Sequence, residues 1–250
     1  MNYAVVTGTS RGLGEALANE FLLRGTHLFC ISRHKNESLV SRAEKMNVPL
    51  DYFTFDLNNP DQIEKLMVQI TDRVDCAEVK NLYLINNAGV LDPIGPTERN
   101  KASEITLSFS VNIIAPIVLT SQFIKQTDAF NCERTVVNIS SGAAKKPYYG
   151  WSTYCTSKAA MDMYTRVVAL EQEKSENPVK MISIAPGVVE TRMQEQIRNA
   201  SAEDFRSVEK FRALKREEKL LKPEYVARTM VELINQNKLH SGGMYDIRDF

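Results

Sequence analysis

Residues 3–24 read YAVVTGTSRGLGEALANEFLLR. Residues 3–7 are a short apolar run, the length of a buried strand. They feed directly into Thr7-Gly8-Thr9-Ser10-Arg11-Gly12-Leu13-Gly14, and a helical pattern follows over residues 15–24. Strand, glycine-rich turn, helix is the context in which a glycine motif becomes a phosphate site. Glycines allow a tight turn and a close approach of backbone to ligand. The helix N-terminus then presents free N–H groups and the positive end of its dipole to a pyrophosphate. The spacing is G-x-x-x-G-x-G, not the G-x-G-x-x-G of the usual dinucleotide fingerprint. Gly8, Ser10, Arg11, Gly12, Leu13 and Gly14 are therefore candidate dinucleotide contacts.

The alternation of strand and helix continues outward from this turn. Residues 26–31 read as a second strand ending in Ser32-Arg33-His34-Lys35. Proteins that bind NAD place an acid near this point for the ribose 2′-hydroxyl, whereas an Arg accommodates the 2′-phosphate of NADP. Here Ser32 and Arg33 stand, with no acid before Glu37, and Arg11 supplies a second guanidinium. Two guanidinium groups can clamp one phosphate, so NADP (NADPH) is the expected cofactor. The alternative is a pair of solvated surface arginines.

Residues 50–55 form a third strand leading to Asp56-Leu57. Asp56 either takes the adenine amino group or caps the helix over 61–74. A fourth strand, 81–85, leads into Asn86-Asn87-Ala88-Gly89, small and amide residues that let backbone lie against a cofactor. Residues 103–126 read as one long apolar helix around Asn112. A buried asparagine there needs partners for its amide, and it is expected to bend the helix and hold a water. A sixth strand, 179–184, leads to Pro186-Gly187-Val188-Val189-Glu190-Thr191. Residues 190–222 are expected to form a substrate flap, with a charged, strand-free helical stretch over 195–222. A helix over 225–236 and an edge strand over 242–247 complete the chain. No repeat or linker divides it, so residues 1–250 read as a single α/β domain. The sheet is parallel, with helices on both faces.

The reactive groups lie in residues 136–158, VVNISSGAAKKPYYGWSTYCTSK. A strand over 135–139 ends just before Ser141, and a helix over 153–172 carries Tyr154 and Lys158 one turn apart on one face. A phenol with a pKa of about 10 is a poor acid or base at neutral pH, and a nearby ammonium favours its phenolate. Lys158 is thus expected to lower the Tyr154 pKa, while the Ser141 hydroxyl holds a carbonyl or alkoxide oxygen beside it. Tyr148, Tyr149 and Trp151 lie between the Ser and the Tyr. Aromatic rings there suit flat aryl ketones, so Tyr148 and Trp151 join Ser141 and Tyr154 as substrate residues.

Composition narrows the alternatives. With 31 basic and 31 acidic residues the formal charge is zero, which argues against a nucleic-acid footprint or a polybasic membrane patch. The four cysteines are scattered without a C-x-x-C pair. They suggest free thiols in a reducing compartment, with no metal. The apolar runs are strand-length and the first strand leaves no room for a signal peptide, so a cytoplasmic location is expected.

Taken together the pieces resemble the short-chain dehydrogenase/reductase family over essentially the whole chain. They are Thr7-Gly8-x-x-x-Gly12-x-Gly14, Asp56-Leu57, Asn86-Asn87-Ala88-Gly89, Asn112, Ser141, Tyr154-x-x-x-Lys158 and Pro186-Gly187 with Thr191. The resemblance implies a Rossmann-type sheet of about seven strands. It implies Tyr154 as proton donor, Ser141 as carbonyl holder, and Lys158 on the nicotinamide ribose. It also implies Asn112 on a relay water and Thr191 on the carboxamide. Further cofactor contacts are implied from Leu57, Asn87, Ala88, Gly89, Pro186, Gly187 and Val189. Within the family, residues 85–90, 138–159, 185–198, 205–221 and 245–250 resemble the bacterial reductases that turn benzil into (S)-benzoin, which are in turn similar to sepiapterin reductases. The implied activity is NADPH-dependent reduction of one carbonyl of an aromatic α-diketone by a homodimer joined through its long helices. A pteridine or quinone reductase with the same machinery, and a catalytically silent NADP-binding regulator, are the alternatives. The intact Ser141, Tyr154 and Lys158 speak against the last.

Overall fold

Seven parallel strands form the centre of the computed structural model, which describes residues 1–236 and 238–250. The elements in chain order are β1 (Asn2–Thr7), α1 (Gly12–Leu23), β2 (His27–Ser32), α2 (Glu37–Met46), β3 (Leu50–Thr54), α3 (Ile63–Thr71), β4 (Asn81–Asn86), α4 (Ala102–Phe109), α5 (Ala115–Gln126), β5 (Glu133–Ile139), α6 (Ser152–Gln172), β6 (Val179–Ala185), α7 (Arg192–Asn199), α8 (Val208–Arg216), α9 (Pro223–Asn235) and β7 (Gly243–Asp246). The strand order is β3-β2-β1-β4-β5-β6-β7. The order reverses between β1 and β4, and ligands of such sheets bind at the strand carboxyl ends beside that reversal.

Period-two alternation along the strands fills both faces. Ala4 and Val6 of β1 pack with α1 and α9, while Tyr3 and Val5 pack with α3 and α5. Tyr83 and Ile85 of β4 take the first face, and Leu82 and Leu84 the second. A third apolar cluster lies over the carboxyl edge of the sheet. It joins Leu91, Trp151 and Tyr154 to Phe205, Val208 and Phe211.

Several sequence expectations need correction. The long helix around Asn112 is α4 and α5 joined by a π turn over Ser110–Ile114. The bend expected at Asn112 is therefore a one-residue widening of the helix. Apolar runs are not all strand-length: Ala102–Gln126 is long and apolar enough to cross a membrane by length and composition, and half of its apolar 18-residue window is buried, as in a core helix. The charged stretch is two helices, α7 and α8, with an irregular turn between them. Residues 61–74 are helical as α3 only to Thr71, after a short 3-10 turn at Pro60–Gln62. Residues 195–222 also carry a strand-like pairing: Val189 bridges Leu221 in parallel, with Glu190 N–H donating to Leu221 O at 2.9 Å. The flap is thereby pinched shut at its base.

Candidate active site

A cleft of about 980 Å³ runs along the carboxyl edge of the sheet. Its walls include Gly8, Ser10, Arg11, Gly12, Leu13, Gly14, Ser32, Arg33, Asp56, Leu57, Asn87, Ala88, Gly89, Pro186, Gly187, Val189 and Thr191. Ser141, Tyr148, Trp151, Tyr154 and Lys158 line the same cleft. Sequence reasoning thus named residues that the fold brings together from every loop on this edge.

The glycine turn is shaped for close approach. Gly8 and Gly12 have φ of +76° and +62°, a region glycine enters without penalty. A methyl group at Gly14 would lie 2.2 Å from Gly8 O and 2.4 Å from Asn87 Nδ2, so only glycine lets α1 start against the turn. Asn87 fixes the turn from the β4 side: its Nδ2 donates to Thr7 O at 2.8 Å, and Thr7 Oγ1 accepts from the Asn87 and Ala88 N–H groups. Arg11 precedes α1 without making a side-chain cap. The first N–H groups of α1 therefore remain for a ligand, and the cradle fits a pyrophosphate. Both Arg11 and Arg33 are exposed, and neither pairs with an acid among the described residues.

Asp56 is exposed. Its Oδ1 accepts from Asn58 N–H at 3.0 Å, so it caps its own turn and not the helix that follows. Ser32, expected at the cofactor, spends its hydroxyl on His34 O and the Tyr52 phenol. It supports the loop from below.

At the reactive end, Ser141 follows β5 and starts a short 3-10 turn, its Oγ accepting from Ala143 N–H at 3.1 Å. Tyr154 and Lys158 are buried on one face of α6. A buried amide ladder holds that face to the sheet: Asn86 Nδ2 donates to Asn138 Oδ1 at 2.9 Å, and Asn138 Nδ2 to Thr165 Oγ1 at 2.9 Å.

The electrostatics reverse one expectation. Burial pushes the Tyr154 phenol up to about 12, against a hydrogen bond with Ser141 that pulls it down. Burial also pulls the Lys158 ammonium down to about 8, opposed by Asp162. The reason is geometric. Lys158 Nζ donates to the neutral Ile139 O at 2.8 Å and lies 5.8 Å from the Tyr154 ring centre, and both groups are buried. Desolvation then outweighs attraction.

Asn112 does not line the cleft. Its Oδ1 accepts from Val90 N–H at 2.8 Å and its Nδ2 donates to Val90 O at 2.8 Å. The side chain is a two-pronged clamp on the chain leaving β4, and its Nδ2 also lies 3.4 Å from Ser108 Oγ and from Ser157 Oγ. It stands directly behind Gly89, where a methyl group would meet Asn112 Oδ1 at 3.3 Å and Lys158 Nζ at 3.8 Å.

The aromatic residues divide. Trp151 is 3% exposed and stacks on Phe205 with ring centres 4.3 Å apart; Tyr148 leans on both Trp151 and Phe211. Trp151 meets Tyr154 edge-on at 5.5 Å. Tyr149 instead faces out, beneath the Arg206 guanidinium at 4.0 Å, and is not a wall of the cleft. Sequence reasoning missed Phe205 and Phe211 as partners of this shelf. The available signal was Gly150: its φ is +86°, and a methyl group there would lie 1.8 Å from Asp204 O. The flap backbone rests on that bare glycine.

Comparison with known proteins agrees with this geometry. A family profile described as short chain dehydrogenase matches residues 2–202. The chain is 41% identical over 242 residues to benzil reductase ((S)-benzoin forming) of Bacillus cereus, covering 97% of each chain. It is 30% identical to sepiapterin reductase of Rattus norvegicus, covering 98% of this chain and 95% of that one. In fold it is similar to the crystal structure of the KRED1-Pglu enzyme, with a TM-score of 0.84 and 27% identity over 98% of this chain and all of the other. The chain therefore belongs to the short-chain dehydrogenase family, as an oxidoreductase of alcohol and carbonyl groups on small molecules that works with a nicotinamide dinucleotide.

Proposed function

We propose that this protein uses NADPH to reduce one carbonyl of an aromatic α-diketone such as benzil, giving the (S)-hydroxyketone. The observation that carries the reading is the meeting of Ser141, Tyr154 and Lys158 with Tyr148, Trp151 and Phe211 in one cleft. The similarity to the Bacillus cereus benzil reductase supports the substrate and the product hand. Arg11 and Arg33, unpaired with acids among the described residues, support the 2′-phosphate.

The cofactor supplies a hydride when bound. The protein's own residues do the rest. Ser141 Oγ orients the substrate oxygen. Tyr154, protonated throughout the neutral range by its burial, gives that oxygen its proton. Lys158 would hold the nicotinamide ribose and offset the phenolate that the transfer leaves. Thr191, whose Cγ2 lies 3.4 Å from a methyl group built on Gly12, would contact the carboxamide. Asn112 keeps Val90 and Gly89 in line behind the site. The flap over residues 190–222 closes the aromatic end and excludes water.

A second copy of the chain is the proposed partner. Met163, Val167 and Leu170 of α6 lie at helical spacing and are exposed, as is Ile114 at the end of the π turn. Their apolar stripe suits the twofold packing of like helices.

The test is turnover of benzil with NADPH by the wild type and by Tyr154→Phe, with chiral analysis of the product. The wild type should give (S)-benzoin. The variant should bind NADPH normally and lose most of its turnover. Near wild-type turnover in the variant refutes the assignment of Tyr154. Preferential turnover of a sepiapterin-like diketone or a quinone would move the substrate toward the second group of relatives.

A further inference from the structure

The loop that carries Arg33 is held from beneath by one phenol. Tyr52 sits on β3, and its hydroxyl meets three segments. It accepts from Thr9 Oγ1 in the glycine turn at 3.1 Å. It shares a short bond with Ser32 Oγ at the end of β2. It lies 3.0 Å from His34 O, the carbonyl just beyond Arg33. Ser32 Oγ is itself 2.7 Å from that carbonyl. Tyr52 and Ser32 have one hydroxyl hydrogen each, two in all, to share among their mutual bond and the two contacts to His34 O. Meanwhile Ser32 O accepts from Phe55 N–H at 3.0 Å. Residue 33 is thus bracketed by two anchored neighbours.

The Arg33 side chain is exposed and makes no bond or ion pair among the described residues. The next acid along the chain, Glu37, is taken by Lys35 at 3.1 Å. Asn36 repeats the pattern toward the other cation. Its Nδ2 donates to Ser10 O at 3.3 Å and to Glu15 Oε1 at 2.8 Å, tying the loop to the turn that carries Arg11. A fixed backbone under a free guanidinium is a preorganised anion site.

We propose that Tyr52 is a positioning residue for the cofactor's 2′-phosphate: its hydroxyl sets the preference for NADP over NAD by fixing the backbone that presents Arg33. This rests on the NADP reading above. Tyr52 touches no reacting atom. It acts through Arg33, and its effect exists only when a 2′-phosphate is there to be read.

The test is calorimetric binding of adenosine 2′,5′-bisphosphate and of 5′-ADP to the full chain. In Tyr52→Phe the bisphosphate should bind about fivefold more weakly, the loss that one net hydrogen bond supplies, while 5′-ADP changes by less than about twofold. Ser32→Ala, which removes the other donor to His34 O, should show the same selective loss. In an Arg33→Ala background Tyr52→Phe should add nothing, because the two act in series. Equal losses for both ligands, no loss in either variant, or an undiminished effect without Arg33 would overturn the proposal. If Arg33→Ala abolishes the preference and both hydroxyl variants are neutral, this inference alone falls. A wild type with no preference for the bisphosphate overturns it together with the NADP reading.

Discussion

Replacing Gly150 with alanine should open the flap without touching a reacting group. The new Cβ would stand 1.8 Å from Asp204 O and 3.0 Å from the Asp204 carbonyl carbon, and Gly150 has φ +86°. Relief requires Asp204 and Phe205 to move off the glycine. The left-handed backbone costs a residue with a Cβ about 1–2 kcal/mol. Sliding Phe205 off Trp151 forfeits a stacked pair worth about 0.5–1.5 kcal/mol beyond its area. The Arg99–Asp204 ion pair, 3.1 Å long but exposed, adds little. The sum is about 1.5–3.5 kcal/mol against the closed flap, or about 12- to 320-fold at 1.4 kcal/mol per tenfold. The assay is kcat/KM for benzil beside direct NADPH binding, with limited proteolysis of residues 195–222. We expect the diketone kcat/KM to fall by that factor, cofactor affinity to hold within about threefold, and cleavage to quicken. A variant with wild-type kcat/KM and unchanged cleavage would show that the contact with Gly150 does not govern the site.

Other perturbations address other parts of the site. Since kcat/KM reports groups of the free enzyme, and burial sets Lys158 near 8, kcat/KM for carbonyl reduction should be level below that pH. It should fall above it as the ammonium is lost. Lys158→Arg should remove this limb, and an unmoved limb would assign it elsewhere. Arg33→Ala, alone or with Arg11→Ala, should weaken NADPH far more than NADH in fluorescence titrations; equal losses would mean that other residues read the 2′-phosphate. Sedimentation at micromolar concentration should give at least a dimer, and Leu170→Glu on the exposed stripe of α6 should push it toward monomer. A wild-type monomer would contradict the helix pairing.

The sheet was legible because its strands are short apolar runs separated by helical patterns and glycine turns. Val5 and Val6 or Leu84 and Ile85 announce burial on both faces by having no polar face at all. The cofactor end was legible for a related reason: glycines and asparagines at strand ends are defined by backbone geometry, which spacing reports. The aromatic shelf was half legible. Trp151 and Tyr148 stand next to the reactive Tyr in sequence, but Phe205 and Phe211 reach it from a separate segment. Nothing in their local pattern says where that segment lands. Tyr149 shows the converse error, since adjacency in an irregular loop does not fix which way a ring points. Asn112 was correctly singled out as a buried amide that needs partners; Ser108 lies one turn back along the chain, but Val90 and Ser157 come from distant segments that only the fold brings to it.

The reversal at Tyr154 and Lys158 follows from what sequence can and cannot contain. The spacing of Tyr and Lys along a helix gives their proximity, and proximity alone argues for a lowered phenol pKa. Solvation is the missing quantity. Both groups are buried, so each loses water and moves toward its neutral form, the phenol to about 12 and the ammonium to about 8. For an oxidation, which begins by taking a proton from an alcohol, a phenol held near 12 would be a poor start. For a reduction it is the needed state, because the acid must still hold its proton when the carbonyl arrives. The lysine then matters after the transfer, when a buried phenolate needs a counter-charge. Its present partner, Ile139 O at 2.8 Å, is neutral and can be exchanged. Lys158→Met should therefore slow reduction and also make the buried site intolerant of phenolate. A pH titration of Tyr154 in Lys158→Met should show no phenolate even in strong base within the folded range. A phenol that ionises as readily in that variant as in wild type would mean that Lys158 holds the helix to β5 and takes no part in the proton's path.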